Sequence, residues 1–148
     1  MTDEDYMREA IQLAKHAYVM GEVPVGAVVV CGDRIVGKGY NRRETDKNAL
    51  CHAEIMAIDE ACRTLGGWRL WQCRLYVTLE PCPMCAGAII NARIPQVFFG
   101  AFDSKAGSCH SVINLFNLPY NHKPTAVGGI FAEECAALLS QFFKERRK

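Results

Sequence analysis

Residues 75–85 read Leu-Tyr-Val-Thr-Leu-Glu-Pro-Cys-Pro-Met-Cys, and no other stretch limits the fold so tightly. Leu75 to Leu79 have the β-branched, aromatic and aliphatic composition of a short buried strand. Pro81 stops that strand. Pro83 has the fixed φ and missing N–H that suit the first position of a helix, and Met84 to Ala92 continue with good helix formers. A strand must therefore turn directly into a helix, with Cys82 and Cys85 at the turn. The free N–H groups and positive dipole end of the helix favour thiolate over thiol there, and thiolate is the form that ligates metal.

A Cys-x-x-Cys pair alone is ambiguous: it serves redox chemistry, half of a structural zinc site, or neither. Upstream, His52-Ala53-Glu54 precedes Ile55, Met56, Ile58, Ala61 and Cys62, whose spacing predicts a helix beginning at the histidine. Residues two apart do not share a face in mid-helix, so His52 and Glu54 converge only within the irregular first turn. Three ligands, His52, Cys82 and Cys85, leave a tetrahedral Zn²⁺ with one open position, as in catalytic sites. Glu54 is then placed to carry protons. A closed structural site would need a fourth ligand, and Cys51, Cys109 and His110 are available by type, although such a site requires no glutamate beside its histidine. A redox dithiol would not require the distant His-Ala-Glu.

The 148 residues suffice for one domain, 1–148, around one core. A charged fraction of 22% is ordinary for a globular protein. No apolar run approaches the roughly 18 residues of a membrane span, and the acidic start Thr2-Asp3-Glu4-Asp5 lacks the form of a signal peptide, so a cytoplasmic location with no membrane partner is expected. Without an export signal, the six cysteines outside the motif read as small buried hydrophobes or reduced thiols. A net charge of +1 gives no general field for nucleic acid, so any attraction must be local. The local candidates are Lys144, Arg146, Arg147 and Lys148 at the C-terminus, and Arg42, Arg43 and Lys47 before the histidine motif.

Along the chain, Met7, Ala10, Ile11, Ala14, Ala17 and Tyr18 predict a first helix behind a Thr2 cap, closed by Gly21. Pro24 to Cys31 is apolar enough for a strand covered on both faces, and Arg34 to Tyr40 returns as its hairpin partner, weakened or bulged by Gly37 and Gly39. Asn41 to Cys51 is a polar loop. Gly66-Gly67 ends the second helix, Pro95 to Gly100 is another strand, and Asp103 to His110 is a turn-forming rim. Val112 to Leu118 is expected as a short helix, Thr125 to Val127 as an edge strand, and Phe131 to Arg147 as an amphipathic final helix. The order predicts an α/β fold, a three-layer α/β/α sandwich with a mixed sheet of about five strands, and the motifs at strand-to-helix junctions.

His-x-Glu followed by Pro-Cys-x-x-Cys is the signature of zinc nucleobase deaminases. The chain resembles the cytidine-deaminase-like superfamily and, more closely, the bacterial tRNA adenosine deaminases. The similarity runs through Glu22 to Val28, Gly39 to Arg42, His52 to Ile55, Leu75 to Ala88, Val97 to Asp103, Asn121-His122 and Glu134 to Leu139, with Pro-Cys-Pro-Met-Cys-Ala-Gly-Ala and Asp103-x-Lys105-x-Gly107 more specific than the superfamily pattern. The resemblance implies one Zn²⁺ per subunit on His52, Cys82 and Cys85, no organic cofactor, a homodimer, and a tRNA anticodon stem-loop as partner. It further implies that water attacks C6 of an extruded adenine while Glu54 shuttles protons to N1 and the departing amino group, leaving inosine at the wobble position. Asn41 matches the side chain that hydrogen-bonds the flipped base, and Ala53, Asp103, Lys105, Asn121 and His122 fall in segments facing the RNA. Asn and Asp also favour turns for their own reasons. Deamination of a free cytosine- or guanine-type base or nucleotide, and a non-catalytic zinc or RNA-binding protein, remain as alternatives.

Overall fold

The structure is a computed structural model in which residues 1–146 are described. The opening hairpin is β1 (Gly26–Cys31) with β2 (Arg34–Tyr40), followed by β3 (Cys73–Leu79), β4 (Gln96–Ala101) and the three-residue β5 (Thr125–Val127). They form one sheet in the order β2-β1-β3-β4-β5. β1 is antiparallel to both of its neighbours, whereas β3, β4 and β5 run parallel, so the sheet is mixed. Among the described residues four helices cover it: α1 (Asp3–Val19), α2 (Ala53–Leu65), α3 (Pro83–Asn91) and α4 (Ala132–Arg146).

Alternation along the strands divides the core into two layers. Val28, Val30 and Tyr76 pack with Tyr6, Met7, Ala10 and Ile11 of α1 and Cys135 of α4. Ala27, Val29, Leu75 and Val77 pack with Ala53, Ala57 and Ala61 of α2 and Ala86 and Ile89 of α3. β1 is apolar at successive positions because both of its faces are covered. Thr2 caps α1 in a reciprocal box with Asp5, and Gly66, at φ 71°, ends α2 in the left-handed conformation.

β2 does bulge, at Val36, since Val29 faces Gly37 while Val30 faces Ile35. Gly37 and Gly39 have a second role that strand composition alone does not reveal. A Cβ at Gly37 would overlap the carbonyl of Ala57, and one at Gly39 the carbonyl of Ala53. The two glycines let α2 lie directly on the β2 backbone, and this sets the height of the His52 end of the helix.

The helix expected over 112–118 is not formed. Only Leu115–Asn117 makes a single 3₁₀ turn, capped by the Asn114 side chain at the Phe116 N–H. Cys109 and Asn114 pair as an antiparallel bridge, so the preceding backbone is already committed to a tight reversal. On the other side of the turn, Pro119 holds Leu118 extended and blocks further helix. The last helix is described to Arg146, and Arg147 and Lys148 lie outside the described residues. No helix among the described residues is long and apolar enough to cross a membrane.

Candidate active site

Two helix starts meet at the end of β3. His52 is the N-cap of α2 and Cys82 the N-cap of α3, with Pro83 opening the latter helix. Neither side chain makes a capping hydrogen bond, so both are free to face a common point. His52 Nδ1 stands 3.5 Å from Cys82 Sγ and 3.5 Å from Cys85 Sγ. Tetrahedral zinc, with Zn–N and Zn–S bonds of about 2.05 and 2.3 Å, would separate such nitrogen and sulfur ligands by about 3.6 Å. The donor set and its spacing therefore fit zinc. His52, Cys82 and Cys85 are the one such group of donors among the described residues, their ligand atoms lying within 4.8 Å of one another.

Among the described residues, no fourth protein ligand joins them. Cys51 is buried beside Asp46, and Cys109 is buried, but neither belongs to the group of converging donor atoms. His110 is exposed, its ring set edge-on to Phe102 at 5.2 Å. A tetrahedral ion held by these three donors would keep one position for water, as a catalytic centre does and a closed structural site does not.

The charges are arranged to match. A hydrogen bond from Cys85, reinforced by His52, holds the Cys82 thiol down at about 4, so it is a thiolate at neutral pH. The same Cys82 bond, together with burial, pushes Cys85 up, and the bond to Cys82 raises His52. Glu54 is only 4% exposed, and burial pushes its carboxyl up to about 7. A group that changes protonation near neutrality is suited to accept and return a proton.

His52, Glu54 and Cys82 open onto a cavity of about 550 Å³. Asn41, His52, Ala53, Glu54, Cys82, Asp103 and Lys105 all line it, so most of the residues singled out from sequence come together. Asn41 is 6% exposed; its Nδ2 donates to the Val23 carbonyl at 3.4 Å and its Oδ1 accepts from the Arg43 N–H at 3.2 Å. Asp103 Oδ1 accepts from the N–H groups of Lys105 and Ala106, so its carboxylate shapes the turn. Asn121 and His122 do not line this cavity. Asn121 is exposed, and His122 Nε2 bonds the Ile94 carbonyl at 2.8 Å, beyond the opposite end of β4.

Sequence reasoning named none of Val25, Phe102, Leu139 and Phe143 as site residues, yet they form the cavity's apolar walls. Leu139 and Phe143 come from the far end of the chain and carry only a helix-stripe signal. The basic cluster before the histidine motif is divided by the structure. Arg43 lines the cavity, whereas Arg42 is held by both oxygens of Asp46 at 3.0 Å each.

Fold and site together define a zinc-binding deaminase: residues 1–101 match the family described as the cytidine and deoxycytidylate deaminase zinc-binding region. Within that class, the chain belongs to the family of tRNA-specific adenosine deaminases. It is 51% identical over 147 residues to the tRNA-specific adenosine deaminase of Bacillus subtilis, covering 99% of this chain and 91% of that one. It is 48% identical to the enzyme of that name from Rickettsia bellii, covering 95% and 99%. A solved structure from a study of A-to-I editing by tRNA:A34 deaminases at the wobble position of transfer RNA superposes with a TM-score of 0.88 at 40% identity, covering 91% of this chain and 99% of that one.

Proposed function

We propose that this chain hydrolytically deaminates adenosine to inosine at the wobble position of a tRNA anticodon loop, with residues 1–148 acting as one deaminase domain that holds one zinc ion. The observation that carries the reading is the buried Glu54 carboxylate facing a cavity of about 550 Å³ beside His52, Cys82 and Cys85. Zinc, when bound, supplies Lewis acidity that brings the pKa of the water it activates to about 7.

The chain's own residues do the rest. Glu54 takes one proton of the attacking water and delivers it to adenine N1 as the C6–O bond forms; it then takes the remaining proton from the new C6 hydroxyl and gives it to the amino group, which leaves as ammonia as the C6–N bond breaks and the C6 carbonyl of inosine forms. Asn41 has one Nδ2 hydrogen and one Oδ1 lone pair beyond its internal bonds, and these address the edge of the flipped base. Ala53, Val25 and Leu79 enclose its faces and exclude bulk water. Arg43 and Lys105 meet phosphates at the mouth. Asp103 holds the Lys105 turn, while Asn121 and His122 meet RNA extending past the loop. A base in an anticodon loop is less costly to extrude than one in a duplex. A tRNA substrate accords with a cytoplasmic enzyme, acting as a homodimer whose second subunit widens the grip on the stem.

Incubation with an anticodon stem-loop containing adenosine at the wobble position tests the reading. Inosine and one ammonia per turnover are expected. Turnover of free guanine, cytosine or their nucleotides with the RNA left unchanged overturns the tRNA assignment.

A further inference from the structure

Two carboxylates with no part in the proton transfer are buried at the pocket's edges: Glu22 and Glu80 are each 1% exposed. A buried carboxylate is strongly disfavoured unless its oxygens are satisfied, and in both cases the donors belong to a single loop. Glu80 accepts from the backbone N–H of Asp103 at 3.0 Å, of Cys109 at 3.2 Å and of Ser111 at 2.8 Å, and from the Ser111 hydroxyl. Glu22 accepts from the N–H of Glu44 at 3.2 Å and from both the N–H and the hydroxyl of Thr45 at 2.6 Å. Neither makes a salt bridge among the described residues.

Both loops contribute walls to the pocket. One carries Asn41 and Arg43, the other Phe102 and Lys105. Gly107 is pressed so closely on Glu80 that a Cβ there would overlap the carboxylate. Each glutamate is also fixed to the scaffold of the site. Glu22 adjoins Val23, whose carbonyl holds Asn41, and the Glu80 N–H is tied to the Ala101 carbonyl at the end of β4.

We infer that Glu22 and Glu80 are positioning residues, each holding one RNA-facing loop in the shape that admits the target nucleotide while leaving the metal centre to its own ligands. The inference rests on the RNA reading of the site given above. Both oxygens of each carboxylate accept, so glutamine cannot replace either: one end of its amide must turn N–H toward N–H.

Glu22→Gln and Glu80→Gln test this by three measurements. Zinc content should equal that of the wild type. Amide exchange should accelerate tenfold or more at Glu44 and Thr45 in the first variant and at Asp103, Cys109 and Ser111 in the second, each confined to its own loop. KM for the anticodon stem-loop should rise tenfold or more while kcat changes less than threefold. Should either variant fail to fold, Thr45→Ala and Ser111→Ala remove one bond from each clamp and should raise KM two- to fivefold. KM within twofold of wild type despite loosened loops overturns the inference, as does zinc loss accompanying the KM change. If the wild type turns over no RNA, the functional reading falls, and stem-loop binding measured by fluorescence anisotropy then decides the clamps separately, with unchanged affinity counting against them.

Discussion

Gly39 lies directly beneath Ala53, so close that a side chain at Gly39 would enter the carbonyl of the first residue of α2. The obstacle is backbone, which cannot rotate away as a side-chain end can. Gly39→Ala should therefore lift the start of α2 off the sheet and carry His52 and Glu54 with it. Overpacking of this kind costs about 2–3 kcal/mol. A lower denaturant midpoint together with weakened zinc binding is expected, and a variant with unchanged zinc affinity would show that the helix start is not set by this contact.

His52, Cys82 and Cys85 are the donors proposed to hold zinc, and among the described residues no other such group of donors converges. His52→Ala or Cys85→Ser should reduce zinc below about one-tenth of stoichiometric after dialysis, measured by elemental analysis. Because zinc binds the folded chain, stripping it with a chelator should lower the thermal midpoint of the wild type. The same chelator should leave the midpoint of Cys85→Ser unmoved.

Glu54 is expected to carry proton transfer, so Glu54→Gln should retain zinc and lose activity by about 10²–10⁴-fold. A second consequence follows from its burial, which holds the carboxyl at about 7 against the ordinary 4.5. Between those values the folded, metal-stripped chain keeps a proton that the unfolded chain has released, so stability falls as pH rises through the window. Glutamine is neutral throughout. Urea midpoints of metal-stripped protein should therefore decline from pH 5 to 7 in the wild type more steeply than in Glu54→Gln, and parallel curves would place the titrating group elsewhere.

The convergence of His52, Cys82 and Cys85 was legible in the sequence because its geometry is local: Pro83 fixes a helix start, His52 and Cys82 cap two helices, and Cys85 lies in the first turn of the second. The hairpin and β3 were legible from the same short-range rules. What was hidden depends on distant partners. Gly37 and Gly39 look like weak points of a strand until α2 is laid across them. Asn114 and Pro119 prevent a helix that the apolar residues between 112 and 118 suggest. Glu22 and Glu80 look like solvated charges, and nothing near them in sequence announces the loops that bury them. Leu139 and Phe143 join the cavity only through the docking of α4.

Lys105 is exposed at the cavity mouth and Arg43 lines its wall, whereas the neighbouring Arg42 is already occupied by both oxygens of Asp46. A side chain that neutralises a phosphate releases a counterion, so its loss flattens the dependence of log affinity on log salt by about 0.7–0.9 per contact. Lys105→Ala and Arg43→Ala should each raise KM for the stem-loop at low salt, flatten the slope by about that amount and leave kcat nearly unchanged. Arg42→Ala removes a charge from the same loop without removing a free one, so its salt slope should match the wild type. Equal flattening by all three substitutions would show that the RNA responds to total charge rather than to the two side chains at the mouth.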